Sequence, residues 1–553
     1  MHATEKLQEK NQENGNLYTA KIIVKINLKK FKFSLRLIVW GKILSEKLWY
    51  KVWPEKVPKT VKVPEIAYHE VLRENARKYP SKPALIFENK IFTFKDLDEQ
   101  SDKVANFLVS LGLKKDDCVA LVMSNCPEWL LSFFGASKAG LRTVIIDPIT
   151  MTEDLLFQLT DSNSKVLFTD KDVYSREKET IKKSGINYVV LADEKIGETL
   201  FFDEILEKYE AKAPDVKINP KEDVVMVLYY AGIAGRTEQV YHTHYGTVAT
   251  GLAISTFLEV TEKDVGILAL QASHLLGFDG CVVVCMHTGA TMVMQKRFEP
   301  KQVMQLIKEY EVTFWTGAPL MFDVVAKHPD FSKEYFKSLR WCASGGAPLP
   351  VEIHEKFEKG SGAPLLQVYG MTESHLVTIT PLTRKVYGSM GIPITNVDAK
   401  IVDPKTGTKE LKPGEVGELI VKAPTIMKGY ISAEDTSKAI RNGWLYTGDL
   451  VKMDENGMLY FAGFKKRMIK YKAYPIFPRD LEDILSKHPT VKECLVVGKP
   501  TPEVGQIPKA YVVLKPGCEG KVTAEELMNF VNKCVAAYKK LREVEFVKEI
   551  PKQ

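Results

Sequence analysis

Long apolar runs are missing from this chain. The longest in its basic first segment is LIVW, and no stretch reaches the 18 or so residues of a membrane-crossing helix. A signal-peptide cleavage pattern is missing as well. The cysteines (Cys118, Cys126, Cys281, Cys285, Cys342, Cys494, Cys518 and Cys534) are scattered, with no CxxC pair and no zinc spacing. That pattern argues against a zinc ribbon or a disulfide framework and predicts buried, reduced thiols in a cytoplasmic protein. Internal repeats are absent. Charge is nearly balanced, at +7 over 553 residues, which is no footprint for nucleic acid. What remains is an ordinary globular composition, 45% hydrophobic and 27% charged. The chain is long enough for roughly two to four structural units around a large core.

The first sixty residues differ from the rest. Residues 1–17 are polar and read as disordered. Residues 21–60 carry eleven Lys or Arg against Glu46 and Glu55, and KFKFSLRL alternates like a strand with one apolar face. This 1–60 extension is open to three readings: a solvated basic segment, a contact with an anionic membrane surface through residues 21–60, or a misassigned start.

From about residue 64 helical stretches such as TFKDLDEQSDKVANFLVSLGL alternate with short apolar strands such as CVALVM, TVIID and KVLFTD. That alternation predicts α/β layers with mostly parallel sheets. After 395 the texture becomes NVDAKIVD, GELIVKAP and MLYFAGF, short strands split by turn residues, which suggests a small β-rich subdomain. Helix and strand patterns return from 463, after the polar break GFKKR. The expected fold is therefore α/β: a large N-terminal domain of layered subdomains over 61–462 and a small, mobile α+β C-terminal domain over 463–553.

The stretch LYYAGIAGRTEQVYHTHYG (228–246) reads as strand, loop, helix, with Gly232 and Gly235 spaced like a phosphate cradle but without its chemistry. No hydroxyl lies between the glycines, and Glu238 stands where a phosphate-binding lysine is expected. Three later stretches complement it. In YGMTES, Thr372 can bond a phosphate oxygen and Glu373 can hold Mg²⁺, at the end of an apolar strand where ligands tend to lie. In YTGDL, Asp449 follows a glycine turn and can take both ribose hydroxyls. ASGGAPLP offers a glycine turn on which a flat base can rest. Each motif alone reads as an ordinary turn; their order and spacing together are far more specific.

Their order resembles the adenylate-forming (AMP-binding) superfamily, and is most similar to its fatty-acyl-CoA synthetases, from about residue 55 to the C-terminus. The resemblance implies ATP/AMP, Mg²⁺ and CoA as small-molecule partners, and a carboxylic acid, in the first instance a fatty acid, as substrate. It assigns Gly345, Gly346 and Ala347 to the adenine turn, and Tyr369 with Gly370 to the base. Thr372 falls to the α-phosphate, Glu373 to the metal and Asp449 to the ribose. His274 falls beside the reacting carboxylate, and His274, Gly277, Trp315 and Gly317 to an apolar acyl pocket, with plain core packing as the competing reading of those runs. Gly463, Phe464, Lys466, Lys470 and Ala473 fall to the hinge and the CoA-facing loop.

Departures from the pattern qualify the implied activity. Tyr230, Ala231, Ile233 and Ala234 replace the loop's four hydroxyl residues, and a Glu238 carboxylate facing a triphosphate repels it. Phe464 replaces an arginine that helps hold the ribose, and Ala473 a glycine. The chain ends in EIPKQ, before the family's last lysine. The expectation is a carboxylic acid–CoA ligase with slow adenylation. A non-catalytic relative that binds acyl-AMP, acyl-CoA or a partner protein, or a truncated gene, are the other readings.

Overall fold

The computed structural model describes residues 47–230, 237–465, 469–472, 474–476 and 478–551. The KFKFSLRL segment, Gly232, Gly235, Lys466 and Ala473 lie outside those residues. Residues Met1–Lys51 and Val52–Gln553 separate as two units, and the second contains all four sheets.

Two large sheets organise it. One has eight strands, and the six from Val224–Tyr230 across to Leu200–Phe201 are parallel. The other has nine, with six parallel strands between Leu365–Met371 and Pro83–Phe87. These strands are almost uniformly apolar because helices cover both faces. The helix Pro127–Lys138 is buried at every position except Glu128, as expected for a helix that is apolar all round. Its single cation, Lys138, is held by Asp98 at 2.5 Å and Asp102 at 2.6 Å, so no buried charge stands alone.

A third, antiparallel sheet joins Asp398–Val402, Val416–Lys422, Trp444–Met453 and Leu459–Phe464. Burial alternates along Trp444–Met453 with the two-residue period of a half-covered strand. From Ile469 a fourth sheet and the helices Pro478–Leu485 and Ala524–Asn532 close around their own core of Leu481, Val496, Val512 and Leu527. Among the described residues no strand of this sheet joins the other three. The architecture is α/β, a large N-terminal body with a β-rich part and a small C-terminal lobe.

Two local expectations are corrected. Residues 228–246 are not strand, loop, helix: Glu238–Thr243 is a strand, antiparallel to Val224–Tyr230, before the helix His244–Leu258. Six residues that run straight into an apolar helix give too little alternation to be told from the helix by periodicity. Asp449 does not follow a free turn either. It lies inside the strand Trp444–Met453, where Gly448 takes φ +72° and the pairing with Val416–Lys422 slips between Tyr446 and Leu450. This is a bulge, which re-aims the Asp449 side chain.

Candidate active site

The parallel strand Trp341–Ser344 delivers its chain into the turn at Gly345 and Gly346, the latter at φ +79°. The neighbouring strand Leu365–Met371 carries Tyr369 and Gly370 and releases Thr372 and Glu373 into the turn before His375–Ile379. Gly370 packs so close to the His375 backbone that a Cβ there would strike its carbonyl. These turns stand at the carboxyl ends of parallel strands, the usual place for ligand groups in such sheets.

Three cavities adjoin there. The first, about 800 Å³, is lined by Gly346, Ala347, Tyr369, Asp449, Phe464 and Lys470 among others. A second, about 510 Å³, has His274, Asp279, Thr372, His375 and again Lys470 in its wall. The third, about 900 Å³, is lined by Asp147, Thr237, His274, Thr372, Tyr474, Tyr538 and Lys539. Lys470 and Gly346 are common to the first two, His274 and Thr372 to the second and third. The structure therefore brings Gly346, Ala347, Tyr369, Gly370, Thr372, Asp449, His274, Phe464 and Lys470 together.

Charges in this region are buried and paired. The Tyr369 hydroxyl donates to Asp449 Oδ2 at 2.6 Å. Burial pushes the Asp449 carboxyl up to about 6, against the opposing pull of the Tyr369 hydroxyl and the Lys470 ammonium. Lys470 donates to the Gly346 carbonyl at 3.1 Å. Burial lowers its pKa while the charges of Asp449 and Glu373 hold it up. Glu373 is fully buried and accepts from the Tyr430 hydroxyl at 2.7 Å. Burial and the Lys470 charge lower His274 to about 4, so its ring is neutral near pH 7. Its Nδ1 accepts from the Leu276 N–H at 3.2 Å, and a neutral ring then carries its proton on Nε2.

Other assignments fall elsewhere. Glu238 does not face an open phosphate site. It is 4% exposed, and its Oε1 accepts from the Ser432 N–H at 2.8 Å. Its place on the strand turns the side chain toward the 432 loop, a direction that loop spacing alone does not give. Trp315 is core, packed 4.3 Å from Phe322 among Phe357 and Ile307. Gly317 serves the same packing, since a Cβ there would press on the Phe322 ring. Gly277 closes a tight turn against the Gln271 carbonyl. Neither glycine nor Trp315 borders the three cavities. Gly345 backs onto Val368, and Gly463 pairs with Leu450 beside Phe464.

Sequence reasoning did not find Tyr430, Tyr538, Lys539 or the buried trio His242, His375 and Asp279. Lys539 of the small lobe reaches Asp154 at 3.1 Å and Asp480 at 3.3 Å. Burial lowers its pKa but the two carboxylates outweigh that and raise it. Thr237 donates to the same Asp480 at 2.9 Å, and Tyr538 stacks on Tyr474 at 4.5 Å. The histidine-dense YHTHYG is a written signal for His242 alone, and none points to His375 or Asp279.

The model of the AMP-binding enzyme family covers residues 72–431, and that of the AMP-binding enzyme C-terminal domain covers 480–553. The chain belongs to the AMP-binding enzyme family. It is 30% identical over 541 residues to a long-chain-fatty-acid–CoA ligase of Bacillus subtilis (strain 168), covering 92% of this chain and 96% of that one. It is also 30% identical over 517 residues to 4-coumarate:CoA ligase 1 of Petunia hybrida, at 91% and 94% coverage. Among solved structures it superposes on a long-chain-fatty-acid-CoA ligase from Archaeoglobus fulgidus with a TM-score of 0.75, at 25% identity over 90% of this chain and 99% of that one. ATP-bound MatB from Rhodopseudomonas palustris gives 0.67, at 25% identity and 88% and 96% coverage. This family member is thus similar to acid–CoA ligases along nearly its whole length.

Proposed function

We propose that the chain is an AMP-forming carboxylic acid–CoA ligase that uses an acyl-adenylate better than it makes one. The carrying observation is the meeting of Asp449, Tyr369, Gly346 and Lys470 around one cavity that adjoins the His274 and Thr372 wall of the next. In the first half-reaction a carboxylate oxygen attacks the α-phosphorus of ATP and pyrophosphate leaves. In the second the CoA thiol, losing its proton to solvent, attacks the acyl carbon and AMP leaves with the bridging oxygen. Asp449 would take the ribose hydroxyls, the 345–347 turn and Tyr369 the base, Thr372 the α-phosphate, and His274 would donate Nε2–H beside the carboxylate. Lys470 is the cation at the junction. Glu373, the carboxylate assigned to Mg²⁺, is fully buried on the Tyr430 hydroxyl and borders none of the three cavities, so it would hold the ion only after turning from Tyr430 toward the Thr372 wall. The ion would neutralise phosphate charge.

Slow adenylation is supported by the 231–236 stretch, which has no hydroxyl residue and Arg236 as its sole cation, and by Lys539, already paired with two carboxylates. The test compares acyl-CoA formed from synthetic acyl-AMP plus CoA with that from ATP, free acid and CoA, over C2 to C18 acids and 4-coumarate. The expected result is a faster rate from acyl-AMP. Equal rates refute the split, and no product from either start refutes the ligase.

A further inference from the structure

We propose that His242 is a positioning residue for Thr372, holding the Thr372–Glu373 turn through a buried histidine pair anchored on Asp279. The proposal rests on the assignment of that turn to the nucleotide site. His242 lies on the strand Glu238–Thr243, which leads out of the 231–236 stretch, and its Nε2 stands 2.7 Å from the Thr372 carbonyl. A carbonyl only accepts, so this nitrogen carries the proton and donates. Burial and the nearby His375 lower the His242 pKa well below the usual histidine value, so the ring is neutral and Nδ1 is bare. His375 turns its Nδ1 to Asp279 Oδ1 at 2.8 Å. The two imidazoles meet edge to face, 4.3 Å apart and at 66°. His375 and Asp279 are fully buried and His242 is 1% exposed. His375 also takes φ +59°, a left-handed value that a non-glycine residue adopts only when its surroundings impose it.

A leucine at 242 would fill comparable space without stripping an imidazole of water. What it would not do is donate to Thr372. Strand pairing stops at Met371 and His375, so the carbonyls of the turn between them need donors from outside the ladder. Glu373 accepts from the Met427 N–H at 2.9 Å, and Ser374 from the Thr425 hydroxyl at 2.9 Å. His242 provides for the third. It thereby couples the strand leaving the 231–236 stretch to the residue assigned to the α-phosphate. Asp279 and His375 fix the ring against which His242 packs, and the Thr372 carbonyl selects its Nε2–H form.

The test uses the full chain and two variants. His242→Gln can return an N–H to the place of Nε2, and His242→Leu keeps bulk without a donor. AMP affinity is read by calorimetry, kcat and KM by acyl-CoA formation, and the protonated nitrogen of His242 by ¹⁵N shifts. His242→Leu should weaken AMP and lower kcat about tenfold each, with KM for the acid and CoA nearly unchanged, whereas His242→Gln should recover most of both. Wild-type behaviour of His242→Leu overturns the proposal, as do equal losses in both variants or a proton found on Nδ1. A wild-type chain that neither binds AMP nor turns over defeats the assigned nucleotide function, and the ¹⁵N measurement then still decides whether His242 donates to Thr372.

Discussion

Asp449→Asn separates the stability of this site from its use. The Asp449 carboxyl rises from its ordinary 3.8 to about 6, chiefly through burial. A carboxyl whose folded pKa lies above its unfolded one binds protons more tightly in the folded state. The resulting penalty is absent below about pH 4, grows through the interval, and is complete above about pH 6. The rise corresponds to roughly 3 kcal/mol at neutral pH, an upper figure because the variant also deprives the buried Lys470 of a counter-charge. Urea unfolding should therefore find the variant more stable than wild type at pH 8 by about 1–3 kcal/mol and close to it at pH 4. AMP binding should move the other way. The variant should lose most affinity, and wild type should bind roughly tenfold more weakly at pH 5 than at pH 7, since a protonated Asp449 no longer accepts from both ribose hydroxyls. A stability gap that is constant from pH 4 to 8 would refute the reasoning, because it would mean that Asp449 is not charged at the expense of the fold.

Phe464 faces Asp449 across the strand pair, so Phe464→Arg should place a guanidinium beside that carboxylate and tighten AMP about tenfold by calorimetry; unchanged affinity would show that the position does not reach the nucleotide. Glu238→Lys should cost about 1–3 kcal/mol in urea unfolding, because the Ser432 N–H loses its acceptor, and Glu238→Gln should recover most of that. Lys539→Ala should leave Asp154 and Asp480 without their shared cation and raise cleavage near residues 465–477 in limited proteolysis; an unchanged digest would mean that Lys539 does not hold the small lobe. His274→Ala should lower kcat/KM for the acid about tenfold, and by the same factor at pH 6 and pH 8, since the ring is neutral across that range.

The layered architecture was legible because parallel strands buried on both faces leave uninterrupted apolar runs such as CVALV and VLFT, spaced by helical periods. The breaks at Gly345 and after Tyr369 were legible as turns because glycine and polar residues interrupt apolar strands there, whereas the glycine before Asp449 marks a bulge inside a strand and not a turn. Side-chain direction was not. Glu238 reads from spacing as a phosphate-facing charge, but the strand it occupies points it at Ser432. The apolar run with Trp315 reads first as core, with an acyl pocket as the reading the resemblance implies, and packing against Phe322 and Phe357 decides for core. The His242–His375–Asp279 group joins positions 242, 279 and 375, and nothing in local periodicity links residues so far apart.

The charge arithmetic of the site bears on which half-reaction this chain favours. Among the described residues, Lys470 is the one cation lining the first two cavities, and it faces two carboxylates, Asp449 and Glu373, in a region where burial already lowers its pKa. An acyl-adenylate brings one negative phosphate, which a single lysine can meet if Asp449 engages the ribose as proposed. ATP brings three further charges on its β- and γ-phosphates. Lys539, in the wall of the third cavity, is already committed to Asp154 and Asp480, and releasing it would leave those two carboxylates uncompensated. Mg²⁺ at Glu373 would offset part of the difference but not all of it. Under the proposed function the site would therefore be better balanced for a ligand with one phosphate than for one with three. A variant that restores cationic charge near residues 231–236 should consequently speed pyrophosphate release from ATP while leaving thioester formation from acyl-AMP unchanged. Equal acceleration of both steps would show that the nucleotide's outer phosphates are not what limits the chain.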